Sequence, residues 1–239
     1  MKKHLKWMIP ALVLVLLAMV FLLYTADCYR ADASALSALE SDGDVAVDRT
    51  DYGWFFDGPA ENEALIFYPG GKVEETAYAP LLHQIAAGGM DVCLVKMPFH
   101  LAVFGINKAE KVMKEYNYDR WVIGGHSLGG AMAASFAASR DDLTGLVLLA
   151  AYPTKAFADE DLTVLSLCGS EDGVLNMDKL HDAEPLLPEH SLIHLIAGGN
   201  HAQFGNYGEQ KGDGKARISS DTQQQETADF ILQSLKYTN

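Results

Sequence analysis

The sequence predicts an α/β fold with a mostly parallel central sheet and helices on both of its faces. From residue 45 onward, short apolar runs alternate with helix-like segments, which is the pattern of parallel strands buried on both sides. Glycine-rich or polar loops follow several of these runs, and the carboxyl ends of parallel strands are where functional sites form. The 239 residues suffice for one large domain and are too few for two of comfortable size.

The predicted strands are short apolar runs, most of which are closed by glycine, proline or a polar residue. In chain order they lie at 45–47, 53–57, 64–68, 91–96, 121–125, 143–151, 162–168 and 191–197. The predicted helices repeat apolar residues at three- and four-residue spacing, as Leu81, Leu82 and Ile85 do in the first of them. They lie at 76–87, 107–116, 127–139 and 221–237. The remaining long stretch, 204–220, is rich in Gly, Asp and Lys and is typical of a functional or mobile loop.

The composition excludes several classes of protein. The chain has 18 Lys and Arg against 32 Asp and Glu, a net charge of −14, whereas a nucleic-acid-binding protein needs a basic face. Three cysteines are too few for a disulfide framework. No cluster has metal-ligand spacing, and Asp213 in its Gly-Asp-Gly context lacks the partners of a calcium loop. We therefore expect no nucleic-acid partner and no metal.

The N-terminal segment, residues 1–30, differs from the rest of the chain. Lys2, Lys3 and Lys6 precede an uncharged stretch at 7–26, which as a helix would span about 30 Å, the thickness of a bilayer's hydrocarbon core. This pattern predicts a single-pass anchor in the cell membrane with the body outside the cytoplasm. The alternative is a signal peptide cut after Ala33 or Ala35, which would release the protein.

The rest of the chain divides into a linker at 31–44 and a single main domain at 45–239. Residues 1–30 contain four basic residues and one acidic residue, so the remainder has 14 basic and 31 acidic residues and a net charge of −17. A domain this acidic stays soluble, and we expect it to be monomeric.

The strongest chemical signal is a G-x-S-x-G motif formed by Gly125, Ser127 and Gly129. It follows an apolar strand and opens a helix of small residues, which is the setting that this motif requires. The glycines allow a sharp turn that exposes the Ser127 hydroxyl as a nucleophile. The competing interpretation is a glycine-rich turn whose serine only caps the helix.

A nucleophilic serine needs a base and an acid that orients the base. In folds that carry this motif the acid and then the base follow in the chain, each after a later strand. Asp172 lies directly after the run at 162–168 and is the predicted acid, with Glu171 as the alternative. His201 follows the run at 191–197 and is the predicted base.

The oxyanion of an acyl-transfer reaction needs two backbone N–H donors. One is expected from Leu128, directly after the nucleophile. The other is expected from the loop after the strand at 64–68, where Gly71 is the first choice and Lys72 the second. Glycine at that position lets the backbone approach the developing charge closely.

Three further residues are candidates for substrate binding. Lys72 and Lys96 stand at strand ends in an acidic domain and are positioned to bind an anionic group of the substrate. The alternative is that they are surface lysines paired with carboxylates such as Glu74 or Glu75. Tyr152 follows another strand and is a candidate for lining the acyl side of the site.

These motifs resemble those of the α/β-hydrolase superfamily, through 125–129, Asp172 and His201 in that order. Within it, the chain resembles a compact group of uncharacterised bacterial serine hydrolases without a lid domain, which share runs like those at 68–73, 96–99 and 198–205. The resemblance covers residues 45–237. It implies the α/β-hydrolase fold, a serine-hydrolase mechanism and no cofactor, but no particular substrate.

The link between the strands at 143–151 and 162–168 has only ten residues, Tyr152–Asp161, and leaves no room for a helical lid. We therefore expect no large cap domain, an open site, and a small ester or thioester as the substrate. The alternatives are a peptidase or amidase with the same triad, or a non-catalytic binding protein on the same fold.

Overall fold

The computed structural model describes residues 2–59, 62–157, 161–189 and 191–236. In these residues eight strands form one sheet in the order β1-β2-β4-β3-β5-β6-β7-β8. The strands are β1 Ala46–Arg49, β2 Gly53–Asp57, β3 Glu63–Tyr68, β4 Asp91–Val95, β5 Arg120–His126, β6 Gly145–Leu149, β7 Thr163–Gly169 and β8 Leu192–Ile196. β2 pairs antiparallel with β1 and with β4, and all other neighbours are parallel. The prediction of a mostly parallel sheet is confirmed.

Helices cover both faces of this sheet, as predicted. The α-helices are α1 Lys2–Ala26, α2 Ala33–Ser37, α3 Ala79–Ala87, α4 Lys108–Glu115, α5 Leu128–Ala137, α6 Met177–Ala183 and α7 Ser220–Lys236. Along β3, Leu65 and Phe67 pack with α3 and α7 on one face, whereas Ala64, Ile66 and Tyr68 pack with α4 and α5 on the other. Alternate residues of a strand point to opposite faces, so each run had to be apolar throughout to fill two cores.

Several element boundaries differ from the prediction for local reasons. The helix expected at 76–87 begins as a 3₁₀ turn, Glu75–Tyr78, and continues as α3 with Pro80 in its first turn. The run at 143–151 yields the shorter strand β6, since the backbone of Ala150 has a φ of 48° and leaves the extended conformation. The helix α6 lies where the apolar pattern predicts none. Tyr237, the expected end of the last helix, lies outside the described residues.

The segment at 31–44 packs against the body of the protein. Asp32 caps α2 by accepting a hydrogen bond from the N–H of Ala35, and Ala35 is fully buried. The backbone N–H of Asp32 donates to the carbonyl of Asn206, and the side-chain amide of Asn206 donates to the hydroxyl of Ser34. These bonds join the N-terminal part of the chain to the long loop near the C-terminus.

The helix α1 precedes this segment. Its stretch Trp7–Ala26 has a mean hydropathy of 2.6 and is almost entirely exposed. Its length and composition suit a helix that crosses a membrane, and a signal sequence near the N-terminus has the same properties.

The connection between β6 and β7 adds no helix within its described residues, which exclude 158–160. The sheet is open, and the described residues form no large cap domain, as the short link predicts.

Candidate active site

Ser127 occupies a strained turn between β5, which ends at His126, and α5, which begins at Leu128. Its φ and ψ are 51° and −119°, in the left-handed half of the φ range that non-glycine residues rarely adopt. The backbone N–H of Ser127 donates to the carbonyl of Leu149 on β6 at 2.8 Å. A Cβ atom on Gly129 would lie 2.2 Å from the carbonyl oxygen of Tyr68, so α5 can start this close to the sheet only with glycine there.

Asp172 and His201 meet at the carboxyl ends of β7 and β8. Oδ2 of Asp172 lies 2.9 Å from Nδ1 of His201, and their side chains are 0% and 2% exposed. The other oxygen of Asp172 accepts hydrogen bonds from the N–H groups of Val174 and Leu175, each at 2.8 Å. The carboxylate is therefore held by its own loop while one oxygen remains for the imidazole.

Glu171, the alternative acid, faces elsewhere. Its carboxylate lies 3.3 Å from Nε of Arg217 and accepts a hydrogen bond from the hydroxyl of Ser170. The structure therefore pairs His201 with Asp172 and not with Glu171.

His201 lies beside the turn that carries Ser127. Its ring centroid is 4.5 Å from that of His126, the residue directly before Ser127. Within the described part of the chain, Nε2 of His201 is buried without a hydrogen-bond partner. The structure thus brings Ser127, Asp172 and His201 together at the carboxyl end of the sheet. Nε2 of the imidazole has no hydrogen-bond partner there. Catalytic hydrogen bonds between a base and its nucleophile often tighten only when substrate binds.

The two predicted oxyanion donors are also neighbours. A Cβ atom on Gly71 would lie 2.9 Å from Cδ2 of Leu128, so the loop after β3 lies directly against the start of α5. Neither the N–H of Gly71 nor that of Leu128 donates to any acceptor in the described residues. The N–H of Lys72, the second choice, donates to the carbonyl of His100 at 2.8 Å and is therefore occupied.

The Alpha/beta hydrolase family matches residues 64–226, more than half of the sequence. The chain belongs to the α/β-hydrolase family. Carboxyl esterase 2 from the fungus Tuber melanosporum aligns over 89% of this chain and 91% of its own, with a TM-score of 0.63 and 10% identity. A predicted CIB-like hydrolase from Thermoplasma acidophilum aligns over 79% of this chain and 99% of its own, with a TM-score of 0.58 and 14% identity.

A third similar structure is Thermogutta terrifontis esterase 2, which aligns over 82% of this chain and 97% of its own, with a TM-score of 0.58 and 11% identity. At such low sequence identities, the likeness to these structures shows a shared fold and nothing more. No curated protein sequence matches this one significantly.

In this α/β hydrolase a buried hydrogen-bond chain joins the loop after β3 to the end of β5. The hydroxyl of Tyr78 accepts the N–H of Gly70 at 3.0 Å and lies 2.8 Å from Nδ1 of His126. Burial and the neighbouring His201 hold the pKa of His126 well below its usual value, so its imidazole is neutral and can accept a hydrogen bond from the hydroxyl of Tyr78. The sequence suggests only that His126 packs near the sheet and gives no signal for Tyr78.

Asp213 holds together the loops that carry Asp172 and His201. Its Oδ1 accepts from the N–H of Gly173 at 3.0 Å, and its Oδ2 accepts from the N–H of Ala202 at 2.8 Å. Oδ1 also accepts from the N–H of His201 at 3.3 Å. The only hint of Asp213 in the sequence is its Gly-Asp-Gly setting in a long loop, and this setting does not indicate which groups it binds.

The candidate substrate-binding lysines are both paired with carboxylates. Nζ of Lys72 lies 3.2 Å from Oδ2 of Asp27 and 4.3 Å from the ring centre of Tyr24, so it faces the N-terminal segment. Nζ of Lys96 lies 3.1 Å from Oε1 of Glu75. Glu75 is one of the carboxylates expected if these residues are surface lysines paired with acidic neighbours. Both placements favour that alternative over an anion-binding role.

Tyr152 is half-buried and lies three residues beyond the end of β6. Its side chain forms no hydrogen bond with the described residues, so its role on the acyl side stays a prediction. Within the described residues, no group of three or more His, Cys, Asp or Glu side chains is arranged to hold a metal ion.

Proposed function

We propose that this α/β hydrolase is a serine esterase that cleaves a small ester or thioester through an acyl-enzyme. The observation that carries the proposal is the buried hydrogen bond between Oδ2 of Asp172 and Nδ1 of His201, 2.9 Å long, beside the strained turn at Ser127. An acid held by its own loop, a base with one free nitrogen and a serine in a strained turn beside that base are the parts that nucleophilic catalysis needs.

The first half of the reaction forms the acyl-enzyme. His201 takes the proton of the Ser127 hydroxyl at Nε2 as the oxygen attacks the substrate carbonyl. The N–H groups of Gly71 and Leu128 stabilise the negative charge that develops on the carbonyl oxygen. The C–O bond of the ester then breaks, and His201 gives its proton to the departing alcohol. Asp172 holds the tautomer of His201 and stabilises its cation.

The second half regenerates the enzyme. A water molecule loses a proton to His201 and attacks the acyl carbonyl, and the same N–H groups stabilise the second tetrahedral intermediate. The bond to Ser127 then breaks, the serine oxygen recovers the proton from His201, and the carboxylic acid leaves. No step requires a cofactor.

The size of the substrate follows from the short connection between β6 and β7. Without a lid, little apolar surface is available to enclose a long acyl chain, and each buried methylene would contribute about 0.8 kcal/mol. Structures of Thermogutta terrifontis esterase 2 are described with bound propionate and butyrate, and these short acids support the same substrate class.

The alternatives have less support. A peptidase that recognises a substrate carboxylate would need a free cation, and the ammonium groups of Lys72 and Lys96 are paired with Asp27 and Glu75. A binding protein without catalysis has no need of a complete triad and two free oxyanion donors.

The proposed location is the cell membrane, with α1 as a single-pass anchor and the catalytic domain outside the cytoplasm. Lys2, Lys3 and Lys6 before the apolar stretch favour this orientation. The alternative is a secreted form that results from cleavage after Ala33 or Ala35. We propose a monomer that acts on a small-molecule ester.

Covalent labelling tests the proposed nucleophile. A fluorophosphonate probe should label the protein, since Thermogutta terrifontis esterase 2 is described as phosphorylated by paraoxon, and Ser127→Ala should abolish labelling. Ser139→Ala, an exposed serine just beyond α5, is the matched control and should label fully. Circular dichroism should show an unchanged fold in both variants. Labelling of Ser127→Ala would refute the assignment.

A further inference from the structure

Three large apolar side chains are exposed together after β4. Phe99, Val103 and Phe104 are 47%, 44% and 53% exposed, and they lie on two consecutive 3₁₀ turns, Pro98–His100 and Ala102–Phe104. We refer to these three residues as the apolar patch. Contiguous exposed apolar residues usually mark a surface that contacts a partner or a membrane.

The apolar patch lies against the side of α1. The ring centroid of Phe21 is 5.2 Å from that of Phe99 and 5.9 Å from that of Phe104, both with edge-to-face geometry. Phe21 lies five residues before Ala26, the last residue of α1, which corresponds to about 8 Å along the helix axis. If the apolar stretch of α1 fills the bilayer, side chains that touch Phe21 lie below the outer membrane surface.

The polar surroundings of the apolar patch fit a lipid headgroup region. Lys72 lies above the ring of Tyr24, near the end of α1. Nζ of Lys108 donates to the carbonyl oxygen of Lys96, so two further cations flank the loop that carries the patch. Lysine and aromatic residues are typical of membrane interfaces, and two of these lysines are paired with carboxylates, Lys72 with Asp27 and Lys96 with Glu75.

We infer that the apolar patch is a membrane-contact surface that inserts into the outer interface of the bilayer beside α1. The inference rests on the anchoring role of α1 in the proposed function. It accounts for the exposure of three large apolar side chains directly beside Phe21 of α1.

The backbone links this surface to the catalytic site. Phe99 and His100 have φ values of 57° and 54°, a strained turn that requires support from its surroundings. The carbonyl of His100 accepts the N–H of Lys72, which follows the oxyanion residue Gly71. Membrane contact at the patch thus fixes the position of the oxyanion loop relative to the bilayer surface.

Spin-label depth measurement on the full chain in phosphatidylcholine vesicles tests the inference. The background variant is Cys28→Ser, because Cys93 and Cys168 are buried. Nitroxides are placed by Phe104→Cys and, as a second position, Val103→Cys. The matched control is Ile193→Cys on β8, which is 50% exposed and lies at the opposite edge of the sheet from the antiparallel strands.

We expect the labels at 103 and 104 to be accessible to oxygen and protected from a water-soluble nickel complex, and the label at 193 to show the reverse. Nickel accessibility at 103 and 104 equal to that at 193 would overturn the inference. Protection from both agents, with dipolar broadening that grows with protein density, would instead show a second copy on the patch and would also overturn it. Failure of anchoring is recognised separately, since a protein that has lost residues 1–33 would not stay with the vesicles.

Discussion

His201 and Asp172 share a hydrogen bond that is closed to solvent: Nδ1 of the imidazole lies 2.9 Å from Oδ2 of the carboxylate. The other oxygen of Asp172 is held by two backbone N–H groups of its own loop, so this carboxylate can turn only one oxygen toward the histidine. The arrangement fixes Nδ1 as the donor and leaves Nε2 free to accept a proton.

Substitution of the acid tests this relationship. Asp172→Asn replaces an acceptor with an amide that can favour the wrong tautomer of His201, and kcat should fall by about four orders of magnitude. Glu171→Gln is the matched control, because Glu171 faces the exposed Arg217, and its kcat should change little. The measurement is the kinetics of p-nitrophenyl acetate hydrolysis. The opposite ranking of the two variants would show that Glu171 is the acid.

Asp213 should act as a positioning residue for His201. In Asp213→Asn an NH₂ group replaces one carboxylate oxygen, so the side chain can no longer accept hydrogen bonds from both Gly173 and Ala202. A hydrogen bond to a charged group contributes about 2 kcal/mol, so the free energy of unfolding should fall by about that amount. We expect kcat to fall while KM changes little, because the base shifts but the substrate pocket does not.

The control for Asp213 is Glu209→Gln, an exposed carboxylate in the same loop. Urea denaturation and kinetics of both variants make the comparison. If Asp213→Asn behaves like Glu209→Gln in both measurements, the two loops do not depend on this carboxylate.

The N-terminal segment should be retained in the mature protein. The proposed cleavage sites, after Ala33 and after Ala35, lie inside α2, and Asp32 before them caps this helix and bonds to Asn206. Cleavage would therefore delete residues that pack on the body. Mass spectrometry of the membrane fraction should give the 26.0 kDa of the whole chain. A new N-terminus at Ser34 or Leu36 would establish release instead.

Acyl chain length should limit the rate. Four methylenes that find no apolar surface forgo about 3 kcal/mol of binding, or about a hundredfold in affinity. We expect kcat/KM to be highest for acyl groups of about two to four carbons, because methylenes that extend beyond the enclosed apolar surface add no binding free energy. A p-nitrophenyl ester series from acetate to palmitate, measured below and above micelle formation, makes the test. A rise toward palmitate with a jump at the interface would contradict the open site.

Much of the fold could be predicted because burial leaves a local record in the sequence. The continuous apolar runs of β3 to β7 reflect packing on both faces, and this requirement is visible in each run without its neighbours. The element boundaries were harder to predict, because they depend on single backbone conformations such as the φ of 48° at Ala150. The helix α6 is short and mostly exposed, so it carries little apolar signal.

The sequence by itself determined the parallel sheet, the position of Ser127 at a strand end, and the order in which Asp172 and His201 follow it. Each of these is a property of a short segment and the element beside it. Only the tertiary structure decided that Lys72 pairs with Asp27, that Asp213 bridges the loops of Asp172 and His201, and that Phe21 touches Phe99. These partners lie about 40 or more residues apart or on separate loops, and hydrophobic periodicity reports which side of an element is buried but not which side chain meets it.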